Sequence, residues 1–139
     1  MQKYVFQLMM TLHVFFYRLT GGRLGGEMQG SKVLLLTTTG RKSGKTRTTP
    51  LGYMDYDGGY VITASNAGMP RNPGWYYNLK DSPQATVQVE DRAMTAVVEE
   101  AKGDLRDHLW SLLVEQAPNY TRYQKSTTRV IPMVILRPQ

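Results

Sequence analysis

The feature that most constrains the fold is a series of short segments with β-strand composition, which starts at residue 32 and is punctuated by turn residues. Two of these segments, residues 46–56 and 60–65, are joined by Asp57-Gly58-Gly59, which is a strong hairpin signal. Short strands linked by hairpins pair antiparallel with their neighbours, and a small sheet of this kind removes its edges by closing on itself. We therefore predict a mainly β fold with flanking helices, in which about six antiparallel strands form a small barrel.

Local patterns place the individual elements. Strands are predicted at residues 32–38, 46–56, 60–65, 84–90, 93–99 and 129–136. Pro50 has no N–H to donate and predicts an edge position or a bulge. Asn72 and Pro73 have the character of the N-cap and first position of a short helix that runs through Leu79, and a longer helix is predicted over residues 105–116. The polar, tyrosine-bearing stretch 118–128 is left without a predicted element.

A chain of 139 residues fits one domain, in which we expect residues 1–22 to form an amphipathic helix and residues 23–139 the barrel. Apolar side chains recur along the helix at steps of three and four residues: Tyr4, Val5, Leu8, Met9, Leu12, Phe15, Phe16 and Leu19. One interpretation is that this face packs on the core. The other is that it lies in a membrane interface, with Lys3 and Arg18 facing lipid phosphates.

Positive charge is concentrated at the start of the chain. Residues 1–50 carry eight Lys and Arg side chains against one acid, Glu27, whereas residues 51–139 carry nine against ten. This asymmetry indicates an anionic partner, which is nucleic acid, anionic lipid, or a phosphorylated or carboxylated ligand. The chain has no cysteine, so thiolate chemistry and disulfides are excluded, which is compatible with the cytoplasm. No A-x-A-like site follows the early apolar stretch, so we expect no cleaved signal.

Several kinds of active site are excluded by spacing. Residues 40–46 (GRKSGKT) resemble a P-loop, but only three residues separate the two glycines where four are required. His13 and His108 are far apart in sequence and have no carboxylates at metal-ligand spacing, so no metal site is predicted. The sequence offers no Ser–His–Asp or paired-carboxylate arrangement. A cofactor that supplies the difficult chemistry itself would remove the need for one.

The segment 37–50 (TTTGRKSGKTRTTP) is suited to binding an anion. It combines four cations with seven hydroxyl side chains and two glycines, and glycine-rich turns let main-chain N–H groups approach oxyanions. Arg41 and Arg47 are able to bind phosphate or carboxylate in a bidentate manner. From composition alone three interpretations stay open: a phosphorylated small ligand, nucleic acid, or a solvated basic turn.

Five segments, in this order, carry a resemblance to a known family: TTTGRKSGKTRTTPL, ITASNAG, NPGWYYNL, PNYTRYQ and IPMVIL. Over roughly residues 20–137 the chain resembles the deazaflavin-dependent nitroreductase and quinone reductase family. The resemblance implies a split β-barrel. It also implies reduced coenzyme F420, an 8-hydroxy-5-deazaflavin, as hydride donor to quinones, activated enones or nitroaromatics. This coenzyme is a long polyanion, which suits the basic start of the chain; FMN is the less favoured cofactor.

The resemblance further implies three groups of cofactor-binding residues. The anionic tail is held by Arg41, Lys42 and Ser43. The path toward the ring is lined by Arg47, Thr48, Thr49, Pro50, Leu51 and Gly52. The deazaflavin head contacts Thr63, Ala64, Ser65, Asn66, Gly74, Trp75, Tyr76, Tyr77 and Asn78, with Trp75 as its aromatic wall. Core packing competes with this role for the three aromatics, because three adjacent helical side chains cannot all face one pocket.

On the acceptor side, the resemblance implies a substrate pocket formed by Gly52, Trp75, Ala117, Tyr120 and Tyr123. We take Ser65 and Tyr120 as the candidate catalytic residues, which donate hydrogen bonds to charge that develops on the acceptor. Nitroreductase members carry tyrosines where this chain has Gly52 and Ala117, so reduction of nitroimidazoles does not follow from the resemblance. Such relatives also have a lysine where this chain has Asn66, which removes one cation near the head.

The expected function is therefore an oxidoreductase that passes hydride from reduced coenzyme F420 to a small electron-poor acceptor. A non-catalytic deazaflavin- or flavin-binding protein is the first alternative, and a nucleic-acid-binding barrel is the second, although nucleic acid is not the expected partner. We expect a cytoplasmic protein, with peripheral attachment to the inner face of the cell membrane if the first helix binds anionic lipid.

Overall fold

The computed structural model describes residues 2–28 and 31–139. The helices are α1 (Gln2–Thr20), α2 (Gly74–Asp81), α3 (Gly103–Gln116) and α4 (Tyr120–Lys125), with a 3₁₀ turn at Asn66–Gly68. The strands are β1 (Glu27–Met28), β2 (Ser31–Thr39), β3 (Thr46–Tyr56), β4 (Gly59–Thr63), β5 (Gln84–Val89), β6 (Arg92–Ala101) and β7 (Met133–Pro138).

Six of the strands close into an antiparallel barrel, which confirms the predicted fold class. The hydrogen-bonded order is β2-β3-β4-β7-β6-β5, and β5 pairs back onto β2 with Val87 opposite Leu36. The two-residue strand β1 extends the sheet beside β2. Pro50 pairs with Leu35 on β2, while the pairing of β3 with β4 starts only at Met54. The predicted edge position of Pro50 is therefore confirmed, because β3 has one partner strand at that point.

The apolar run of β2 is buried on both faces. Leu34 and Leu36 belong to the core cluster inside the barrel, whereas Val33 and Leu35 pack with Tyr17 of α1 on the other face. Successive side chains of a strand point to opposite faces, so both must be covered for the four residues to be buried together. A second cluster lies under α3, where Leu109 and Leu113 pack with the β7 residues.

Helix α1 does not turn its predicted apolar face toward the core. Seven of the exposed large apolar side chains of α1 fall within one arc of about 120° at 100° per residue: Val5, Leu8, Met9, Leu12, Phe15, Phe16 and Leu19. Phe6 is also exposed but lies outside this arc. The side that meets the barrel carries Val14 and the fully buried Tyr17 instead. The interpretation in which the recurring apolar face packs on the core is therefore wrong. The side chains of Tyr4 and Lys3 lie outside the described residues.

Three local predictions differ from the structure. Helix α4 occupies part of the stretch that was left without an element, and β7 begins at Met133 instead of residue 129. The N-cap of α2 is Pro73, and no side-chain cap bond is made there. Asn72 does not cap the helix, because its Oδ1 accepts a hydrogen bond from the Arg129 guanidinium (2.5 Å).

Candidate functional site

A cleft of about 630 Å³ runs between the barrel, α2 and the first helix. Its walls include most of the residues expected to bind the cofactor: Arg41, Lys42, Ser43, Arg47, Thr49, Pro50, Leu51, Thr63, Ser65, Asn66, Gly74, Trp75 and Asn78. These residues come from the β2–β3 loop, β3, the end of β4, the loop after it and the start of α2. The fold thus brings together segments that are distant in the chain, as in the hydrogen bond between Arg41 and Asn78, which are 37 residues apart.

The basic loop, residues 40–45, is a tight turn. The Gly40 N–H donates to Lys45 O (2.7 Å) and the Gly44 N–H donates to Gly40 O (2.8 Å). The packing around Gly40 is close, because a Cβ there would lie 2.8 Å from Ser43 Oγ and 3.2 Å from Lys45 O and would displace the Ser43 hydroxyl. Gly44 has a φ of +74°, a conformation that favours glycine.

The main chain of this loop is largely committed to the protein itself. The N–H groups of Gly40 and Gly44 close the turn, the Arg41 N–H donates to Asn78 Oδ1, and the Lys45 N–H donates to Ser43 Oγ. The expected nest of main-chain donors is therefore mostly occupied. The capacity of the loop to bind an anion lies in its side chains: Arg41 and Lys42 line the cleft, and Arg47 does so from β3.

Asn78 connects the basic loop to α2. Its amide is buried, donates to Thr38 Oγ1 (3.1 Å) and accepts from both the main-chain N–H and the guanidinium of Arg41 (3.1 and 3.2 Å). The Arg41 guanidinium also donates to Gly74 O and lies over the Tyr77 ring, 5.1 Å from its centroid. Arg41 is thus held at the mouth of the cleft in a fixed orientation, which lowers the entropy lost when it binds an anion.

The loop after β4 approaches the cleft with an unusual backbone. Asn66 and Ala67 have φ values of +45° and +55°, in the left-handed region that non-glycine residues rarely adopt, and Gly68 follows at +76°. Ser65, Asn66 and Ala67 all line the cleft. The Asn66 side-chain amide donates to Arg71 O (3.0 Å), which stabilises the loop from within.

The three adjacent aromatics of α2 separate, as their helical spacing requires. Trp75 is buried and lines the cleft, where it offers an aromatic wall. Tyr76 lines a different, smaller cavity, and its hydroxyl donates to Glu100 Oε1 (2.6 Å). Tyr77 is more than a third exposed and packs against Arg41. Neither Tyr76 nor Tyr77 is placed against the cleft.

Three further residues of the predicted set lie beside the cleft and do not line it. Ala64 is fully buried in the barrel core. Thr48 Oγ1 lies 2.8 Å from Thr37 Oγ1 and accepts from Arg18. Gly52 packs near α4, where a Cβ would lie 3.5 Å from the Tyr120 hydroxyl. The φ of Gly52 is not in the left-handed region, so the backbone itself does not require glycine there.

The residues expected on the acceptor side cluster around α4. Tyr120 and Tyr123 pack edge to face, with ring centroids 5.5 Å apart. Ala117 is buried in the core cluster under α3 and does not line the cleft. Burial raises the pKa of Tyr120 above its ordinary value of 10.0, and the neighbouring Tyr123 acts in the same direction, so Tyr120 stays protonated at neutral pH and is able to donate a hydrogen bond.

Sequence reasoning missed several residues of the cleft. Phe6 and Met10 of α1, Thr38, Gly40, Ala67 and Pro73 all line it. Thr38 and Gly40 belong to the segment that the sequence singled out as suited to an anion. No local pattern distinguishes Phe6 and Met10 from the other apolar residues of α1, since only the position of the helix over the barrel brings them to the cleft.

The chain is similar to several known proteins. A family model described as F420H(2)-dependent quinone reductase matches residues 9–138. A protein named as an F420H(2)-dependent quinone reductase in Mycobacterium tuberculosis is 38% identical over 140 residues, which cover 98% of this chain and 94% of that protein. A solved structure of an F420-H2 dependent reductase is 42% identical with a TM-score of 0.69, and covers 76% of this chain and 93% of its own.

Two other structures are informative. One, described as a domain-swapped dimer, is 35% identical with a TM-score of 0.73 and covers 98% of both chains. A haem storage protein from Vibrio cholerae is 18% identical with a TM-score of 0.57, covering 80% of this chain and 84% of that one. At that identity the likeness concerns the fold alone.

Proposed function

The chain belongs to the F420H(2)-dependent quinone reductase family, since the family model spans residues 9–138 and close relatives match over nearly its full length, and from this we propose that it transfers hydride from reduced coenzyme F420 to a quinone. The observation that supports this most strongly is the cleft itself. It joins cations on one set of elements, the basic loop and β3, to neutral hydroxyl, amide and aromatic groups on another.

The residues of the cleft fit this cofactor. Arg41, Lys42 and Arg47 give three cations for an anionic tail with a phosphodiester and carboxylates. Trp75 and Pro73 give apolar surface for a planar ring, and a Cβ on Gly74 would meet nothing within 4 Å, so there is open space above the start of α2. When bound, the reduced cofactor supplies a hydride, which converts a quinone to a hydroquinone once one further proton is taken up.

The protein contributes binding, orientation and hydrogen bonding. Arg41 and Arg47 hold the anionic part, and Trp75 with the loop after β4 sets the plane of the ring. Such residues accelerate the reaction by holding donor and acceptor within near-attack distance, roughly 3–3.5 Å. Ser65 and Tyr120 are the candidate donors to the oxygen that gains charge, and the raised pKa of Tyr120 keeps its proton available.

We propose that bulky planar quinones are better acceptors than small nitroimidazoles. The position that carries a tyrosine in nitroreductase members is Gly52 here, and the Tyr120 hydroxyl lies beside it. The phenol group that a tyrosine at residue 52 would offer to a nitro group is absent. An apolar pocket gains affinity with buried area at roughly 25 cal/mol per Å², which favours the larger ring system.

The test is a comparison of kcat/KM for a naphthoquinone and a nitroimidazole, with the same reduced coenzyme F420 as donor. We expect the naphthoquinone to be preferred, and Gly52→Tyr to reduce that preference by crowding Tyr120. Gly52→Ala is the control, because a single methyl at 3.4–3.5 Å from its neighbours is an ordinary contact. Equal rates for both acceptors in a folded wild-type protein would contradict the proposed acceptor preference.

We also propose that α1 attaches the protein to an anionic membrane surface, where lipid-soluble quinones are found. The arc of exposed apolar side chains on α1, which includes Phe15 at 56% and Leu19 at 68% exposure, supports this partner. None of the described helices is long and apolar enough to span a membrane, so attachment would be peripheral. Phe6 and Met10 on the same helix line the cleft, which would place its mouth next to the lipid.

A further inference from the structure

The loop between β4 and α2 holds a left-handed backbone that Asn66 and Gly68 tolerate but that is unfavourable for Ala67. Three successive residues, Asn66, Ala67 and Gly68, have φ values of +45°, +55° and +76°. For a residue with a Cβ this region is costly, and it persists only where the surroundings over-determine it. Two of these residues line the cleft, so the shape of the cleft depends on whatever maintains the loop.

Arg129 supplies most of the hydrogen bonds that hold this loop from outside. Its Nη1 donates to Ala64 O (3.2 Å) and Asn72 Oδ1 (2.5 Å), its Nη2 donates to Ser65 O (2.8 Å) and its Nε donates to Met69 O (3.0 Å). The acceptors lie at the start, middle and end of the loop. A guanidinium presents its donors in a rigid planar fork, so these bonds fix the positions of the acceptors relative to one another.

The same residue connects the loop to the acceptor side. The Arg129 carbonyl accepts a hydrogen bond from Gln124 Nε2 of α4 (2.7 Å). Gly68 of the loop packs closely against the C-terminal end of α4. A Cβ on Gly68 would lie 3.0 Å from Tyr123 O and 2.9 Å from Ser126 Cβ. The Arg129 side chain therefore holds the loop with Ser65, while the Arg129 main chain is bonded through Gln124 to the helix that carries Tyr120.

We propose that Arg129 is a positioning residue for hydride transfer, which sets the loop of residues 64–72 against the cofactor ring and against α4. This inference rests on the proposed function. Arg129 does not line the cleft, so it acts through Ser65, Asn66 and Ala67 and not by contact with the cofactor. The anionic tail, by contrast, is assigned to the basic loop together with Arg47, and none of the Arg129 side-chain bonds reaches them.

This division predicts different kinetic effects for the two regions. Loss of Arg129 should lower kcat, because a misplacement of about 1 Å costs on the order of 10²-fold in rate, while KM for the cofactor changes little. Loss of Arg47 should raise KM for the cofactor with a smaller effect on kcat. A general loss of stability would not lower mainly kcat in one variant and raise mainly KM in the other.

The test uses the full-length chain with Arg129→Lys and Arg129→Ala. Lysine keeps the charge but cannot reach four acceptors, so we expect both variants to lose kcat. Guanidinium at millimolar concentration should restore part of the activity of Arg129→Ala and none of that of Arg129→Lys. Arg137→Ala is the control, since this arginine pairs with Glu99 and Asp57 at the barrel edge, and guanidinium should not alter its activity.

A second measurement needs no cofactor. Within the loop, the Gly68 N–H donates to Ser65 O (2.8 Å) and the Met69 N–H donates to Asn66 O (3.0 Å). Hydrogen exchange of these two amides should be faster in Arg129→Lys than in the wild type, while the amides of β4 and β7 keep their protection. Unchanged exchange at Gly68 and Met69, or an unchanged kcat in Arg129→Lys, would overturn the proposal. A wild-type protein that does not oxidise the reduced cofactor would overturn the proposed function, while the exchange result would still decide the role of Arg129.

Discussion

Arg41, Lys45 and Arg47 carry the same charge but stand in different relations to the cleft. Arg41 lines it and is fixed by Asn78 and Gly74, Arg47 lines it from β3, and Lys45 belongs to the same turn but does not line it. Their expected contributions to anion binding therefore differ because of where they lie, although their charges are the same. Removal of the Arg41 side chain also takes one of the hydrogen bonds from the buried Asn78 amide and the bond to Gly74 O, so Arg47 gives the cleaner test of tail binding.

We predict that Arg47→Ala weakens binding of coenzyme F420 by roughly ten- to a hundredfold. A charge-assisted hydrogen bond contributes about 1.5–3 kcal/mol, and about 1.4 kcal/mol corresponds to tenfold in affinity. Lys45→Ala removes the same charge outside the cleft and should have little effect. A binding titration with the full cofactor, and with one truncated before its phosphate, measures the difference. Equal losses for the two ligands would show that Arg47 does not bind the tail.

Tyr120 yields a prediction about pH. Because burial raises the pKa of the folded-state phenol above 10.0, this group favours the folded, protonated form below that pH, and its contribution is lost as pH rises through the higher value. We expect kcat to show no loss from Tyr120 between about pH 6 and 9. Tyr120→Phe should lower kcat by about 10²-fold across that range. A fall in kcat with rising pH that is centred at about pH 7 and is absent from Tyr120→Phe would contradict this prediction.

At the scale of elements, α1 shows what a sequence pattern predicts about a helix and what it does not. The apolar spacing predicted the helix, yet it could not say which side meets the barrel, because both sides carry large apolar residues. The buried side is set by Tyr17, whose hydroxyl donates to Val33 O (2.9 Å) and accepts from the Glu90 N–H (2.8 Å). These partners lie up to 73 residues away, so no local window contains the signal.

We predict that Leu12→Glu, on the exposed apolar arc of α1, abolishes co-sedimentation with anionic vesicles. Thr11→Glu adds the same charge at a neighbouring exposed position outside the arc and should retain most of the binding. These point variants are preferable to deletion of the helix, which would also remove Tyr17 from the core and Phe6 and Met10 from the cleft. Equal recovery of Leu12→Glu and the wild type with the vesicles would exclude this face as the membrane contact.

The other elements also fall into those that local sequence predicted and those that it did not. The hairpin at Asp57-Gly58-Gly59 and the strands on either side of it follow from local chemistry, and the structure confirms them. Helix α4 was missed because it is short, most of its residues are polar and none of them is fully buried, so it has no apolar periodicity. Residues 129–132 were taken as strand because they continue an apolar run, but Arg129 there serves the distant loop of residues 64–72.

At the scale of the whole molecule, closure of the barrel is what assembles the site. The pairing of β5 with β2 closes the sheet. The pairing of β4 with β7 brings Arg129, which precedes β7, beside the loop that precedes α2. The segment suited to an anion was recognisable in the sequence, since cations and glycines have a strong local signature, whereas Trp75 was singled out by the family resemblance. The contributions of Phe6, Met10 and Arg129 were not, because they arise only from tertiary contacts.

The most direct measurement is a single-turnover experiment in which purified protein is mixed with reduced coenzyme F420, with and without a naphthoquinone, and the absorbance of the oxidised deazaflavin is followed. We predict rapid formation of the oxidised cofactor only when protein and quinone are both present, with saturation in both substrates. A folded protein that binds the cofactor but leaves its oxidation rate at the level of the protein-free mixture would contradict the account and support a storage or carrier role.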